Sequence, residues 1–327
     1  MRRIMPAMVV LASITLALPA AGQISKTHRI GVLGESPPSS PAFAPLWQGF
    51  VTGLRDNGWT EGRNIVIETR FAGEQPERFA ALAAELVAAK AELIVAFGSR
   101  ATEAARQSTT TIPIVMIHAS HPVASGLARS LARPGGNVTG ISNPLEDITA
   151  KHLELLQEAR PAIRRVAVLY NPEGLRAYYP ALEAASAAQR AGISATTLSI
   201  IEPKDIASAF TATREIRAQA LIIYPSALVE AQVQEIARLA IGQQIPTISP
   251  LRTLAEHGLL MSYGPDHAES WRRAAYFVDR ILRGAKPSEM PIEEPTKFEL
   301  VINAKTARAL SIEIPPTLFA RADEVIE

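Results

Sequence analysis

Arg29-Ile-Gly-Val-Leu33 and Arg165-Val-Ala-Val-Leu169 are two versions of one short phrase, and what surrounds each copy decides the fold. In both, an arginine opens an aliphatic run without polar alternation, the composition of a parallel strand covered on both faces. After the first copy, Phe43, Leu46, Trp47, Phe50, Val51 and Leu54 recur on one helical face, and Asn57-Gly58 closes that helix. Asn64-Ile-Val-Ile-Glu-Thr-Arg-Phe71 then predicts a second strand and Phe79, Leu82, Leu86 and Val87 a second helix. Leu93-Ile-Val-Ala-Phe97, a helix over 100–108 and Ile112-Pro-Ile-Val-Met-Ile117 complete four units. The second copy restarts the same order. Ala220-Leu-Ile-Ile-Tyr-Pro-Ser226 parallels Ala91-Glu-Leu-Ile-Val-Ala-Phe-Gly-Ser99, and Ile245-Pro246 parallels Ile112-Pro113. From the first-strand valine to that proline is 81 residues in one half and 78 in the other. Each half adds a strand ending in Gly or Ser, Asn137–Ser142 and Leu259–Gly264. Strands alternating with helices give an α/β chain of two Rossmann-like parallel-sheet lobes.

The remaining segment fixes how the lobes join. Trp271, Ala274, Ala275, Val278, Ile281 and Leu282 mark one more amphipathic helix, closed by Gly284. A stretch punctuated by Pro287, Pro291 and Pro295 leads to strand Phe298–Ile302 and a short helical tail. The economical packing returns the helix to the first lobe and the last strand to the second. The expected lobes are therefore 28–142 plus 265–286 and 143–264 plus 287–327, with crossings near 142, 265 and 290. Three parallel crossings would make a three-segment hinge.

The 327 residues suffice for two cores, since one core stops growing near ~250–300 residues. Hydrophobic residues make up 47% and charged residues 20%, which reads as globular rather than disordered. Lys and Arg number 33 against 32 Asp and Glu, and Arg2 and Arg3 are the only charges among the first 22 residues. Beyond that segment the balance is 31 to 32, so no basic stripe suits a phosphate backbone and no nucleic-acid partner is expected. The cysteine count is zero, which excludes disulfides, thiolate chemistry, Cys-ligated zinc, iron–sulfur clusters and a lipid-modified N-terminal cysteine. Arg2-Arg3, an uncharged run over 4–25 and Ala20-Ala21-Gly22 form the pattern of a secretory signal, residues 1–22, with processing near Gln23 and a periplasmic product. The competing reading is an uncleaved membrane anchor, but Pro6, Ser13, Thr15 and Pro19 interrupt a run barely long enough to span.

Three segments carry a family resemblance. Pro295-Thr-Lys-Phe-Glu-Leu-Val-Ile-Asn-Ala-Lys-Thr-Ala-Arg-Ala-Leu310, continuing from Ile314 to Glu327, resembles the C-terminus of the ABC-transporter substrate-binding proteins related to tryptophan and tyrosine uptake. Leu127-Ala-Arg-Ser-Leu-Ala-Arg-Pro-Gly-Gly-Asn-Val-Thr-Gly140 and Ala274-Ala-Tyr-Phe-Val-Asp-Arg-Ile-Leu-Arg-Gly-Ala-Lys-Pro287 are similar to the same family. The resemblance runs from about Arg29 to the end. It implies the periplasmic-binding-protein type I fold, closing on a small solute, with a membrane permease and its ATPase as partners. There are departures. His121-Pro122-Val123 stands where the family usually has Asp-Pro-Val, Ser311 stands where Gly is common, and the loop after Asn171-Pro172 looks short.

In open α/β sheets ligands collect beyond the carboxyl ends of the strands, where helix N-termini offer unpaired N–H groups to a carboxylate. The candidates from the first lobe are Gly34, Glu35 and Ser36, Gly98 and Ser99 with Thr102 one turn on, and Ser120 and His121. From the second they are Tyr170 and Asn171, Ser226, and Tyr263. Serines there equally suit plain helix capping. Tyr170, Tyr224 and Tyr263 all end strands, where they either stack on a planar ligand or finish the core. Glu35 is placed to hold an ammonium in lieu of the missing Asp, while His121 at that position leaves room for an acid without one. The expected ligand is a small carboxylate: an amino acid, an aromatic acid or a branched acid.

Catalysis finds little support. His118 and His121 follow a strand and have no third ligand near in sequence, so no metal is expected. A Gly-x-Ser-x-Gly elbow and a Walker A sequence are absent, and Gly31-Val-Leu-Gly34 lacks the third glycine of a dinucleotide loop. The leading expectation is a monomeric, cofactor-free solute-binding protein. An exported sensing subunit for a membrane receptor is the alternative, and an α/β enzyme a more distant one.

Overall fold

The structure is a computed structural model describing residues 26–40, 43–73, 75–172 and 187–327. The expected leader and the loop after Asn171-Pro172 lie outside or largely outside those residues. Strands β1 (His28–Gly34), β2 (Ile65–Phe71), β3 (Leu93–Phe97), β4 (Ile114–Ser120) and β5 (Val138–Asn143) form one parallel sheet in the order β2-β1-β3-β4-β5. A second sheet takes β6 (Arg165–Tyr170), β7 (Ser194–Ser199), β8 (Ala220–Ile223), β9 (Thr247–Ser249) and β10 (Met261–Pro265) in the same relative order, β7-β6-β8-β9-β10. The duplicated phrase supplies the pivot of each sheet, β1 and β6. Two strands extend the second sheet: β11 (Phe298–Asn303), antiparallel to β10, and β12 (Glu324–Ile326), parallel to β11.

Helices cover both faces of each sheet. In chain order they are α1 (Ala44–Asp56), α2 (Phe79–Ala88), α3 (Gly98–Ser108), α4 (Leu145–Ala159), α5 (Asp205–Glu215), α6 (Ala227–Ala231), α7 (Val233–Gly242), α8 (Arg252–Glu256), α9 (His267–Leu282), α10 (Ala304–Ala309) and α11 (Pro316–Phe319). The period-two geometry of β1 sends Ile30 and Val32 into a core with Phe50, Trp271 and Phe277, while Leu33 meets Phe79, Leu86 and Ile94 on the other side. Each such side chain contributes roughly 1.5–3 kcal/mol on leaving water.

α9 returns to the first lobe and packs on α1. The contact depends on two small residues: a β-carbon on Gly49 would lie 2.8 Å from the Ala268 carbonyl oxygen, and one on Gly53 2.6 Å from that of Arg272. Both sheets release the chain through a crowded glycine. Gly140 on β5 has φ +125° and would set a β-carbon 2.1 Å from the Met116 oxygen; one on Gly264 of β10 would lie 2.0 Å from the Pro250 oxygen.

The third passage departs from the expected boundary. Residues 287–292 belong with the first lobe, because Ile292 is buried in its core, its N–H donates to the Leu131 carbonyl at 2.8 Å, and Gly135 N–H donates to the Ser288 carbonyl. Glu293 then runs beside β5, donating to the Gly140 carbonyl at 2.9 Å and accepting from Ser142 N–H at 2.8 Å. The crossing itself falls at 293–297, where Asp266 N–H donates to the Lys297 carbonyl at 3.0 Å. Ion pairs bind the second and third passages: Arg273 to Glu293 through two bonds of 2.8 and 2.7 Å, and Lys297 to Asp266 at 2.7 Å. A pocket of about 100 Å³ lies among these side chains.

Other differences are local. The strand expected to end at Tyr224 ends at Ile223, and the tail expected to be helical finishes in β12. Ser311 has φ +52°, the left-handed conformation that favours glycine after a helix. No helix among the described residues is long and apolar enough to cross a membrane.

Candidate functional site

β5 and β10 both leave their sheets from the carboxyl end and lead directly to the other lobe, so the carboxyl ends of the two sheets face one another across a cleft. In each sheet the strand order reverses at β1 or β6, the position where an open α/β sheet forms its crevice. The loops after β1, β3, β4, β6 and β8 therefore form the candidate site.

On the first-lobe side, buried Gly34 ends β1, and Glu35 and Ser36 follow it. Gly98 opens α3 with φ +80°, which turns the chain so that Ser99 lies next to the end of β4. There Ser99 Oγ accepts the Ser120 backbone N–H at 2.9 Å, tying two of the expected loops together. That hydroxyl keeps its own hydrogen available as a donor. Thr102 is fully buried, and its hydroxyl donates to the Gly98 carbonyl at 2.8 Å; its side chain is turned into the lobe rather than toward the cleft. Half-buried His121 has φ +48°, and its carbonyl accepts from Ser125 N–H at 2.9 Å in the turn after β4.

On the second-lobe side, Asn171 is half-buried at the end of β6. Ser226 caps α6, its Oγ accepting from Val229 N–H at 3.2 Å. The tyrosines finish the core rather than line an open wall. Tyr170 and Tyr224 belong to the cluster beneath α4, and the Tyr224 hydroxyl meets Thr149 Oγ1 at 2.6 Å. Tyr263 packs against the same cluster and stacks on Phe298, with ring centroids 5.7 Å apart and planes 13° from parallel. The reason is strand parity: all three side chains emerge on the face that α4 covers.

Charge enters from residues the sequence reading did not single out. Arg100 follows Ser99 in the first turn of α3, and its guanidinium acts on Glu35. Glu230 stands one turn beyond Ser226 on α6, a spacing from the cap that the sequence reading passed over. Glu35 touches the water of the cleft yet is walled by protein, and that desolvation pushes its carboxyl up, with Arg100 opposing. Desolvation also raises half-buried Glu230, and the negative charge of Glu35 raises it further. Each lobe thus brings one carboxylate to the same space, beside one guanidinium. Such a pair favours a proton or a cation between them.

Among the described residues no three His, Asp or Glu side chains converge on a metal position. A cavity of about 510 Å³ lies away from the strand ends, between α10 and α11, lined by Ala307, Ile314 and Phe319 among others.

The family described as ABC transporter substrate binding protein matches residues 36–326. A tyrosine-binding protein of Clostridioides difficile is 25% identical over 273 residues, covering 84% of this chain and 78% of the relative. Among solved structures, an ABC domain in complex with L-Trp from Streptococcus pneumonia is similar with a TM-score of 0.81 at 24% identity, covering 92% of this chain and 100% of that one. A ligand-free, open substrate binding protein with adhesive properties from Clostridium difficile has a TM-score of 0.72 at 25% identity, covering 92% and 99%. These likenesses, with more distant ones to a leucine binding protein and to an ABC transporter solute binding protein with bound allitol, make the fold that of the type I periplasmic binding proteins.

Proposed function

Because the chain belongs to the ABC transporter substrate binding protein family, we propose that it captures an amino acid between its lobes and delivers it to a membrane permease driven by an ATPase. The carrying observation is the charge set of the cleft. Glu35 and Glu230 approach from opposite lobes and suit an ammonium, while Arg100 beside Glu35 suits a carboxylate. A zwitterion satisfies all three. An acid without an ammonium would bring a negative charge against two carboxylates, so the His121 departure does not by itself favour such a ligand. The names of similar proteins, tyrosine-binding and L-Trp-bound, support an aromatic amino acid.

Capture requires the lobes to rotate about the three crossings. The ligand drives closure only by binding the closed state more tightly than the open one. Greater similarity to the L-Trp-bound neighbour than to the open one supports reading this conformation as closed. The leader pattern supports export to the periplasm, where the permease would meet the closed form.

Calorimetry with L-tyrosine and L-tryptophan, each beside its deaminated propionate analogue, tests the reading. The amino acids are expected to bind, with the analogues at least about tenfold weaker, as loss of one charged hydrogen bond of about 1.5–3 kcal/mol predicts. Equal affinity for the analogues would remove the ammonium from the account, and binding of sugars or polyamines alone would overturn the function.

A further inference from the structure

We propose that His118 and His267 form an acid-sensitive pin that fastens the second crossing to the first lobe, so that mild acidity loosens the waist. The two rings come from distant parts of the chain. His118 interrupts β4: the pairing with β5 skips a residue between Ile117 and Ala119, and His118 itself has φ +55°. A β-branched or bulky residue is costly in that conformation, so the bulge is a specified feature. His267 is the first residue of α9, directly after Pro265 and Asp266 carry the chain out of the second lobe. Their Nδ1 atoms lie 2.9 Å apart and the rings meet edge to face at 4.5 Å. One Nδ1 must donate and the other accept, which requires at least one neutral ring. With a proton on every nitrogen, two donors would face each other and the bond would be lost.

The surroundings oppose even a first added proton. The Phe97 ring from β3 lies 6.1 Å from His118, and fully buried Trp271 stands one turn beyond His267. Burial drives His118 well below the usual imidazole range, with His267 adding to the effect, and burial brings His267 to about 4. The charged groups nearby are few. Asp266 favours a proton on His267, but its carboxylate is already bound to Lys297 Nζ at 2.7 Å and to Glu269 N–H at 3.0 Å. On α9 Arg273 is committed to Glu293, and Lys297 reaches Glu299 at 3.4 Å. His121 follows on the loop after β4. Nothing among these compensates two imidazolium rings.

A freed imidazole titrates near ~6.5, so at pH 5 each released ring favours the loosened arrangement by about thirtyfold. What loosens is specific. The first turn of α9 is the point at which the second crossing enters the first lobe, and the third crossing is hydrogen-bonded to it through Asp266 and Lys297.

The test needs no ligand. Spin labels go on Glu77→Cys in the first lobe and Glu215→Cys in the second; the absence of native cysteine confines labelling to those sites. Pulsed electron spin resonance on the ligand-free full chain is expected to show the distance distribution move or gain a second population from pH 7.5 to 5.0, while far-ultraviolet circular dichroism stays native. The double variant His118→Phe with His267→Leu, which cannot take up these protons, is expected to show one distribution at both pH values. If that variant fails to fold, His267→Asn retains a hydrogen-bonding partner for His118 with one titrating ring fewer, and the response should shrink. A distribution independent of pH in the parent, or an undiminished shift in the variants, overturns the proposal. So does a shift abolished by His152→Gln alone, since that would place the sensor in the second lobe.

Discussion

At Glu230 a carboxylate meets two penalties, lost water and the charge of Glu35, and an ammonium placed between them relieves both. Replacing Glu35 or Glu230 singly with Gln should weaken L-tyrosine binding by about ten- to a hundredfold, the equivalent of one charged hydrogen bond. Calorimetric titration of both variants checks this, and unchanged affinity in the pair would take them out of the site. His152 makes a different point. It is fully buried, Nε2–H donates to the Tyr263 carbonyl at 2.7 Å, and burial lowers it from 6.5 to about 4. Between those values the unfolded chain holds the proton and the folded chain does not. The contribution is therefore intact above about 6.5 and lost as the pH falls toward 4, by up to about 3 kcal/mol. The urea midpoint should fall through that window and fall less steeply in His152→Gln; equal slopes would contradict the assignment.

Between elements, Gly53 decides how closely α9 approaches α1. Gly53→Ala gains up to about 1 kcal/mol of helix propensity but forces a β-carbon against a carbonyl, an overpacking cost of about 1–3 kcal/mol. Gly242 of α7 has open space around it, so Gly242→Ala should be neutral or stabilising. Thermal melts of the two variants should move in opposite directions or differ by several degrees, and a stable Gly53→Ala would show that the helices can separate without loss. The elements also show what the sequence can disclose. β1, β3 and β6 are legible because a strand buried on both faces must be aliphatic throughout. β7, Ser-Ala-Thr-Thr-Leu-Ser, lies on an edge and is half exposed, so it carries no such mark, and β12 is three residues that pair only because β11 is there to receive them. In the site, the loops follow from strand order alone, whereas side-chain direction does not. The tyrosines face α4 by strand parity, Thr102 turns back on its own helix, and the meeting of Glu35 with Glu230 exists only once two lobes approach.

For the whole molecule, the duplicated sheet order and the crowded glycines where each sheet releases the chain set out two sheets joined by crossing segments, which the proposed function treats as rigid lobes about a narrow waist. Rotation at such a waist costs little packing, because both cores stay intact while a few backbone angles change. The charge set then gives a ligand its leverage. In the proposed function, an ammonium meets Glu35 and Glu230 together when both lobes close on it, and only one of them in an open cleft. Small-angle X-ray scattering of the full chain, with L-tyrosine or L-tryptophan added through the concentrations at which calorimetry detects binding, measures this directly. The account predicts a radius of gyration that decreases and saturates with the same dissociation constant. Saturated binding with an unchanged radius, in a ligand-free chain that scattering shows to be open, would contradict it.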